Sequence, residues 1–156
     1  RSAIALFTHP DNRWVYDGPA SLHNQKLLVI NGYSYSNELD RYIEEHHANP
    51  DRIWVIAGPS PLERAIYLLD QHRTDIFAED IYVMAWWERN NKEAIPAPRQ
   101  AGVIAEIEAF VAFSPAREDA RELAELLANG TRRLLASGRI QQILDQYGLS
   151  LWTETP

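Results

Sequence analysis

The chain has 156 residues, of which 46% are apolar, and this is enough for one domain of ordinary size with a buried core. Its formal net charge of −7 disfavours general binding to the phosphate backbone of nucleic acids. The sequence contains no cysteine, which excludes disulfide bonds, thiolate chemistry and cysteine-ligated zinc.

Short apolar runs alternate with helical patterns through the first part of the chain. Residues 3–7 predict a first strand, and the turn-rich stretch 8–18 predicts a loop after it. The continuous apolar run 27–30 is typical of a strand that is buried on both faces. Apolar residues at helical spacing then predict a helix over 36–46.

The clearest helix start in the sequence follows a short strand predicted over 53–56. Ser60 is suited to cap the helix, Pro61 to occupy its first position, and Glu63 to complete a capping box. We therefore expect a helix that begins at Pro61 and whose first free N–H groups are bound by the Ser60 hydroxyl.

The remaining elements are predicted from the same kinds of pattern. They are a strand over 75–78, a short helix over 80–87 that Asp80 caps, a loop over 92–102, a strand over 106–113, and two helices over 116–136 and 139–147. Gly148 is placed to end the last helix. Because helical stretches separate the strands, we predict an α/β fold with a mostly parallel sheet flanked by helices.

A first candidate site is the turn Gly32-Tyr33-Ser34, between a predicted strand and a helix. Free backbone N–H groups at a helix start favour an anion, and Gly32 would let a ligand approach the backbone closely. In open α/β sheets ligands bind at the carboxyl ends of strands, where this turn lies. The alternative is an ordinary strand-to-helix turn, in which Ser34 or Ser36 merely caps the helix.

A second candidate is the carboxylate pair at the end of the strand 75–78. Asp80 could accept hydrogen bonds from a ligand ammonium group, or it could simply cap the helix that follows. Tyr33 is the best aromatic candidate for a binding pocket, whereas Trp86 and Trp87 are better suited to packing or to the surface.

Other kinds of site find no support in the sequence. The five histidines are scattered without an accompanying metal motif, so neither a metal nor a cofactor is expected. No nucleophile lies in a known motif beside a base, so no catalytic residue is expected.

Four segments, in this order, strongly resemble the type II periplasmic solute-binding proteins that serve ABC importers, in their amino-acid-binding branch. They lie at 21–32, 65–80, 109–115 and 137–149. Two positions depart from the family pattern, because Asn24 and His72 stand where glycine is usual. The segments follow the order and spacing of the family, and the resemblance extends over nearly the whole chain. It therefore implies the fold of that family.

The resemblance also implies a domain organisation. Residues 8–105 would form the second, ligand-binding lobe, whereas 1–7 and 106–156 would supply crossover strands and the C-terminal helices of a partial first lobe. The N-terminal half of that lobe would be missing. The sequence starts at Arg1 with no apolar signal-like segment after it, so we expect a processed or truncated product.

The implied function is capture of an amino acid or a similar small polar solute for the membrane permease of an ABC transporter in the periplasm. Gly32, Tyr33 and Ser34 would hold the polar or carboxylate end of the solute, and Asp80 would pair with its ammonium group. No reaction would be catalysed. Helices without the rest of their lobe would expose apolar faces, which could lead to self-association.

Three alternatives remain open at this point. One is an enzyme on the same fold, similar to a dehydratase, in which Asp80 or Glu79 would be the general acid or base. Another is a sensory domain of a membrane receptor. The third is an inert structural fragment, or an assembly in which a second chain rebuilds the missing lobe.

Overall fold

In a computed structural model, which describes residues 1–91 and 95–151, a five-stranded sheet is flanked by helices. The strands are β1 (Ser2–Thr8), β2 (Leu27–Ile30), β3 (Ile53–Ile56), β4 (Ile76–Asp80) and β5 (Arg99–Ile107). The helices are α1 (Asn37–His46), α2 (Pro61–Asp70), α3 (Ile81–Asn90), α4 (Ala120–Ala136) and α5 (Arg139–Tyr147), and a short 3-10 helix spans Pro19–Asn24. The predicted α/β class is confirmed.

The chain separates into two compact units. One, which we name the sheet unit, is Ser2–Ile107, and the other, the helical unit, consists of Arg1 and the chain from Glu108 onwards. The first strand belongs to the sheet unit because it pairs with β5 along its whole length and with β4 from Ile4 to Thr8. The boundaries of this division therefore differ from the predicted ones, which were 8–105 for one lobe and 1–7 with 106–156 for the other.

The sheet is mixed, with strand order β3-β2-β4-β1-β5. β2 runs parallel to β3 and β4, whereas β1 runs antiparallel to both β4 and β5. The expectation of a mostly parallel sheet therefore holds only for three neighbouring strands. Alternation of strands and helices predicts crossovers between successive elements, but β1 pairs with strands far along the chain, and such pairing leaves no local signal.

The core of the sheet unit lies on both faces of the sheet. In β2, Leu28 and Ile30 pack in a cluster that includes residues of α2 and α3. The alternate residues Leu27 and Val29 pack in a second cluster with residues of α1 and the 3-10 helix. Because successive side chains point to opposite faces, a strand covered on both sides must be apolar throughout, as the run 27–30 predicts.

The fifth strand does not lie where the sequence predicts it. The prediction gave a loop over 92–102 and a strand over 106–113, whereas β5 runs from Arg99 to Ile107; residues 92–94 lie outside the described residues. Polar and small residues at the start of β5 resemble a loop, yet they pair with β1 at the edge of the sheet. Phe110 and Val111, which favoured a strand, are 82% and 68% exposed and lie outside β5.

At the start of α2 the structure differs from the predicted capping pattern. At its end the structure explains why glycine is usual at the position of His72. Ser60 has a left-handed backbone (φ 48°) and its side chain makes no capping hydrogen bond, so the predicted capping box is wrong. At the other end His72 is left-handed (φ 52°), with the N–H groups of His72 and Arg73 bound to the carbonyls of Leu69 and Leu68. This is the Schellman arrangement, in which glycine is the usual residue.

Candidate functional site

The predicted site residues meet at one edge of the sheet. Because β2, β3 and β4 are parallel neighbours, their carboxyl ends lie on the same side, which we name the carboxyl edge. Gly32, Tyr33 and Ser34 follow β2 directly, and Asp80 is the last residue of β4. The structure therefore places all four predicted residues at the carboxyl edge.

Two of the parallel strands separate before they reach this edge. β2 stays paired with β3 as far as Ile30 and Ile56, but its pairing with β4 ends at Leu28 and Phe77. Beyond that point the hydroxyl of the buried Tyr35 accepts the hydrogen bond of the Ile30 N–H at 2.8 Å. The gap between the strand ends is thus occupied by a polar side chain rather than by backbone pairing.

The turn after β2 and the end of β4 influence each other electrostatically. Burial raises the pKa of Tyr35, the hydrogen bond from Ile30 opposes this rise, and the charge of Glu79 on β4 adds to it. Tyr35 comes from the turn after β2, so the turn and the end of β4 lie within reach of each other's charges.

The turn after β2 is built around Gly32, whose backbone is left-handed with φ 80°. The N–H of Asn31 before it donates to the carbonyl of Ile56 at 2.8 Å, and the N–H of Tyr33 after it donates to the carbonyl of Ile30 at 3.1 Å. These bonds fix the turn, and glycine takes the conformation that other residues adopt at a cost. Gly32 is exposed, so its backbone is accessible to a ligand.

Ser34 and Ser36 have different roles in this turn. Ser36 is the cap of α1, since its side-chain oxygen accepts a hydrogen bond from the Leu39 N–H at 3.1 Å. Ser34 does not cap the helix; its hydroxyl donates to Oδ2 of Asp40 at 2.6 Å. The other carboxylate oxygen of Asp40 accepts from the Tyr35 N–H at 2.9 Å. Asp40 therefore binds the turn at two successive residues.

The aromatic residues divide as the sequence predicts. The Tyr33 ring is 53% exposed beside Gly32, with its centroid 6.2 Å from that of Tyr35. Trp87 is buried in the core and Trp86 is half exposed on α3. Of these rings, only Tyr33 belongs to the candidate site and is also open to a ligand.

Asp80 is the cap of α3, as the sequence predicts. Its Oδ1 accepts from the N–H groups of Tyr82 at 2.7 Å and Val83 at 3.4 Å. Its Oδ2 accepts from the Ser2 hydroxyl at 2.5 Å. A carboxylate offers about four acceptor positions, and Asp80 is only partly buried. The cap therefore leaves room for one more donor from a ligand.

Glu79, next to this cap, is buried and only 6% exposed. Its Oε1 accepts a hydrogen bond from the Asp80 N–H at 2.8 Å. Burial raises the pKa of Glu79; the hydrogen bond opposes this rise and the neighbouring charge of Asp80 adds to it. Two carboxyl groups thus lie in succession at the end of β4, one in the interior and one at the edge.

Three contributors to the site were not predicted from the sequence. Ser2 reaches Asp80 from 78 positions away along the chain, and no sequence pattern reports such a contact. Asp40 follows Ser34 by six positions and lies in the first turn of a helix, where an acidic residue is ordinary. Tyr35 is one of several aromatic residues in the sequence, and its buried hydroxyl has no sequence signature.

The opposite, amino-terminal edge of the sheet unit carries a separate feature. A cleft of about 230 Å³ there is lined by His9, Asp11, Asn12, His72, Thr74 and Asp75. In residues 1–91 and 95–151, no group of three or more His, Asp or Glu side chains is arranged to hold a metal ion. Within the same ranges, no helix combines the length and apolar character needed to span a bilayer.

Comparisons by sequence find no relatives: no family model and no curated protein matches the chain. Comparisons by structure find solved proteins with a similar fold. They include a structure from work on glutathione import through GshT and the cystine ABC importer TcyBC of Streptococcus mutans, with TM-score 0.68, 12% identity, and coverage of 98% of this chain and 62% of that chain.

Two further structures are matched over the same extent. The L-cystine solute receptor of Neisseria gonorrhoeae in its open form gives TM-score 0.63 at 14% identity, over 98% of this chain and 59% of that one. An ancestral arginine-binding protein bound to arginine gives TM-score 0.61 at 16% identity, over 94% and 60%. The chain thus has the fold of amino-acid-binding periplasmic proteins and spans about three fifths of these matched chains.

Proposed function

We propose that the chain captures a small polar solute, an amino acid or a similar molecule, for an ABC importer in the periplasm. The observation that carries this proposal is the meeting of the Gly32 turn and Asp80 at the carboxyl edge. Backbone N–H groups attract an anionic end, and a carboxylate attracts a cationic end. A zwitterionic solute carries one end of each kind.

The contacts of the two groups support this role. Within the part of the chain that the structure describes, no acceptor contacts the N–H of Gly32 or of Ser34. Asp80 keeps a free acceptor position after it has bound Tyr82, Val83 and Ser2. The site therefore offers unused donors on one strand end and an unused acceptor on the next.

The matched structures indicate which class of solute to test. Their descriptions name arginine and cystine as bound or transported molecules, and an ABC importer as the partner. We infer from this an amino-acid-like solute, a permease as the partner and an extracytoplasmic location. We also propose that the sheet unit is the ligand-binding lobe, and that Gly32, Tyr33, Ser34 and Asp80 are its contacts.

We further propose that the helical unit can associate with itself or with another polypeptide. Its described residues include none that is buried, and several large apolar side chains are exposed. They are Phe110, Val111, Leu126, Leu127, Leu134, Leu135, Ile143 and Tyr147. Exposure of this extent is uncommon on a monomer, and sedimentation at several protein concentrations would detect the association.

The test of solute capture is calorimetry with L-arginine, L-cystine and L-glutamine, on the wild-type chain and on Asp80→Asn. The variant keeps Oδ1 as the acceptor for the cap of α3 but removes the negative charge. We expect at least about tenfold weaker binding, because a charge-assisted hydrogen bond contributes roughly 1.5–3 kcal/mol. Unfolding by urea should change little, which separates binding from stability.

Two results would count against the proposal. If no solute of the panel binds the wild-type chain, capture by this chain alone is wrong. If Asp80→Asn binds as tightly as the wild type, Asp80 serves only as the helix cap. We also infer that the chain is not an enzyme, and turnover of a candidate substrate that Asp80→Asn abolishes would contradict this.

A further inference from the structure

We propose that Asp40 determines which charge the Ser34 side chain of the Gly32 turn accepts, and that it thereby selects solutes with a cationic group over solutes with an additional acidic group. The proposal rests on the solute-binding function proposed above and deepens it. Asp40 lies on α1, and it reaches the turn through the contacts with Ser34 and Tyr35. It touches the candidate contact residue directly rather than the solute.

The hydrogen bond between Ser34 and Asp40 fixes the direction in which the hydroxyl points. A hydroxyl has one hydrogen and an ionised carboxylate has none, so Ser34 must donate to Asp40 across the 2.6 Å contact. That hydrogen cannot be donated at the same time to the carboxylate of a solute. Only the lone pairs of the Ser34 oxygen remain, and these accept hydrogen bonds from an ammonium or guanidinium group.

The second contact keeps the carboxylate in this position. The Tyr35 N–H donates to Oδ1 at 2.9 Å, while Ser34 donates to Oδ2 at 2.6 Å. With both oxygens bound by the turn, Asp40 cannot rotate away without losing two charge-assisted hydrogen bonds. The Ser34 hydroxyl therefore acts towards a solute as a hydrogen-bond acceptor.

The carboxylates near the turn act in the same direction. Asp40, Glu79 and Asp80 lie at or beside the carboxyl edge of the sheet unit. Of its basic residues, Arg64 donates to the carbonyl of Ala57, which follows β3 at the same edge. Lys26 and Arg73 belong to the other edge, since they precede β2 and β4. The carboxylates of Asp40 and Asp80 would therefore repel an additional acidic group on a solute.

The substitution Asp40→Asn tests the direction of the hydrogen bond with almost no change in volume. The amide oxygen can still accept from the Tyr35 N–H, whereas the amide nitrogen would donate to the Ser34 oxygen. The Ser34 hydroxyl hydrogen then becomes available to an anion. Glu38→Gln is the matched control, because it removes one negative charge from the first turn of the same helix, and Glu38 has no hydrogen bond to Ser34.

The first experiment uses simple ions, so that it does not depend on the identity of the solute. The amide resonances of Gly32 and Ser34 are followed by NMR during titration with acetate and with methylammonium. In the wild type we expect saturable shifts with both ions, from acetate at the backbone N–H groups and from methylammonium at the Ser34 oxygen. In Asp40→Asn we expect acetate to bind at least about tenfold more tightly, whereas Glu38→Gln should stay close to the wild type.

The second experiment compares L-arginine with L-glutamate by calorimetry on the same three proteins. We expect Asp40→Asn to shift the ratio of the two affinities towards L-glutamate by at least about tenfold, and Glu38→Gln to shift it by less than about threefold. An equal shift in both variants would overturn the proposal, because charge alone would then explain it. So would an unchanged acetate response in Asp40→Asn.

The two proposals can fail separately. If none of the three proteins binds either amino acid, the proposed solute capture is wrong. A gain of acetate binding in Asp40→Asn but not in Glu38→Gln would still support the role of Asp40 in setting the charge preference of the turn. Binding of L-arginine by the wild type together with no effect of Asp40→Asn would uphold solute capture and refute the role of Asp40.

Discussion

The two units of this chain differ in how far their apolar residues are removed from water. In the sheet unit, residues from both faces of a five-stranded sheet are buried in two clusters. In the described part of the helical unit no residue is buried, although α4 and α5 each carry apolar residues at helical spacing. Amphipathic sequence alone thus produces helices in both units, but a core in only one of them.

The difference indicates where the stability of the chain resides. Burial of apolar surface is the main favourable term in folding, and isolated helices of this length are marginal in water. We therefore expect the sheet unit to supply most of the free energy of unfolding. The candidate site lies on the stable unit, where its geometry can be held without contributions from the helical unit.

The largest expected effect comes from truncating a buried apolar side chain in the sheet unit. Truncation of an exposed apolar side chain in the helical unit provides the comparison. Phe77 is 1% exposed and stacks on Phe7 with ring centroids 5.6 Å apart, so Phe77→Ala should lower the free energy of unfolding by about 3–5 kcal/mol. Leu126 on α4 is 68% exposed, so Leu126→Ala should change it by less than about 1 kcal/mol. Urea unfolding followed by circular dichroism measures both.

This first comparison can fail in an informative way. If Leu126→Ala costs as much as Phe77→Ala, the exposed face of α4 is covered in solution. The cost of Leu126→Ala should then rise with protein concentration where a second copy provides the cover. A small cost for Phe77→Ala would contradict the view that the sheet unit dominates stability.

A second comparison uses one glycine from each unit. A Cβ at Gly102 would lie 2.8 Å from the Cβ of Tyr16, so Gly102→Ala must displace the segment that packs on β5. We expect a loss of about 1–3 kcal/mol in the free energy of unfolding. Gly130 lies inside α4 with nothing within 4 Å of an added Cβ, and Gly130→Ala should add up to about 1 kcal/mol to helix stability.

Thermal unfolding of the two alanine variants distinguishes these effects. Gly102→Ala should lower the midpoint, whereas Gly130→Ala should leave it unchanged or raise it slightly. Equal midpoints for Gly102→Ala and the wild type would show that Tyr16 can move away at no cost. A loss in Gly130→Ala would show that another chain or segment approaches this glycine in solution.

How well the sequence predicts each unit follows from the kind of signal involved. The strand 27–30 and the final helix were predicted well because each has a local pattern, a run of apolar residues in one and Gly148 as a stop in the other. β5 was displaced because its first residues are polar and its pairing partner is β1, nearly a hundred positions earlier. Pairing over that distance is decided by packing, which no window of sequence contains.

The candidate site shows the same limit at the level of single side chains. Gly32 and Asp80 could be placed at one edge because parallel strands share their carboxyl ends. Ser2 and Asp40 could not be assigned to the site from the sequence, because each is connected to it through a hydrogen bond to a site residue. The cap formed by Asp80 was predicted correctly. That of Ser60 was wrong, because Ser60 has a left-handed backbone whereas a capping residue is typically extended.

The smallest expected effect compares a buried carboxyl group with an exposed one. Burial raises the pKa of Glu79 above its ordinary value of 4.5, so the folded chain holds this proton more tightly than the unfolded chain. Stability contributed by the group is therefore full below pH 4.5 and falls as the pH rises towards the folded pKa. Glu79→Gln removes this loss, and its amide oxygen can still accept from the Asp80 N–H.

Urea unfolding of Glu79→Gln and the wild type between about pH 4 and pH 8 measures the difference. We expect the advantage of Glu79→Gln to grow as the pH rises through the window and then to level off, because the wild type alone ionises a buried group. Glu118→Gln in the helical unit is the control, because it changes an exposed carboxyl group rather than a buried one. A difference between Glu79→Gln and the wild type that does not change with pH would mean that water reaches the carboxyl group of Glu79 in the folded chain.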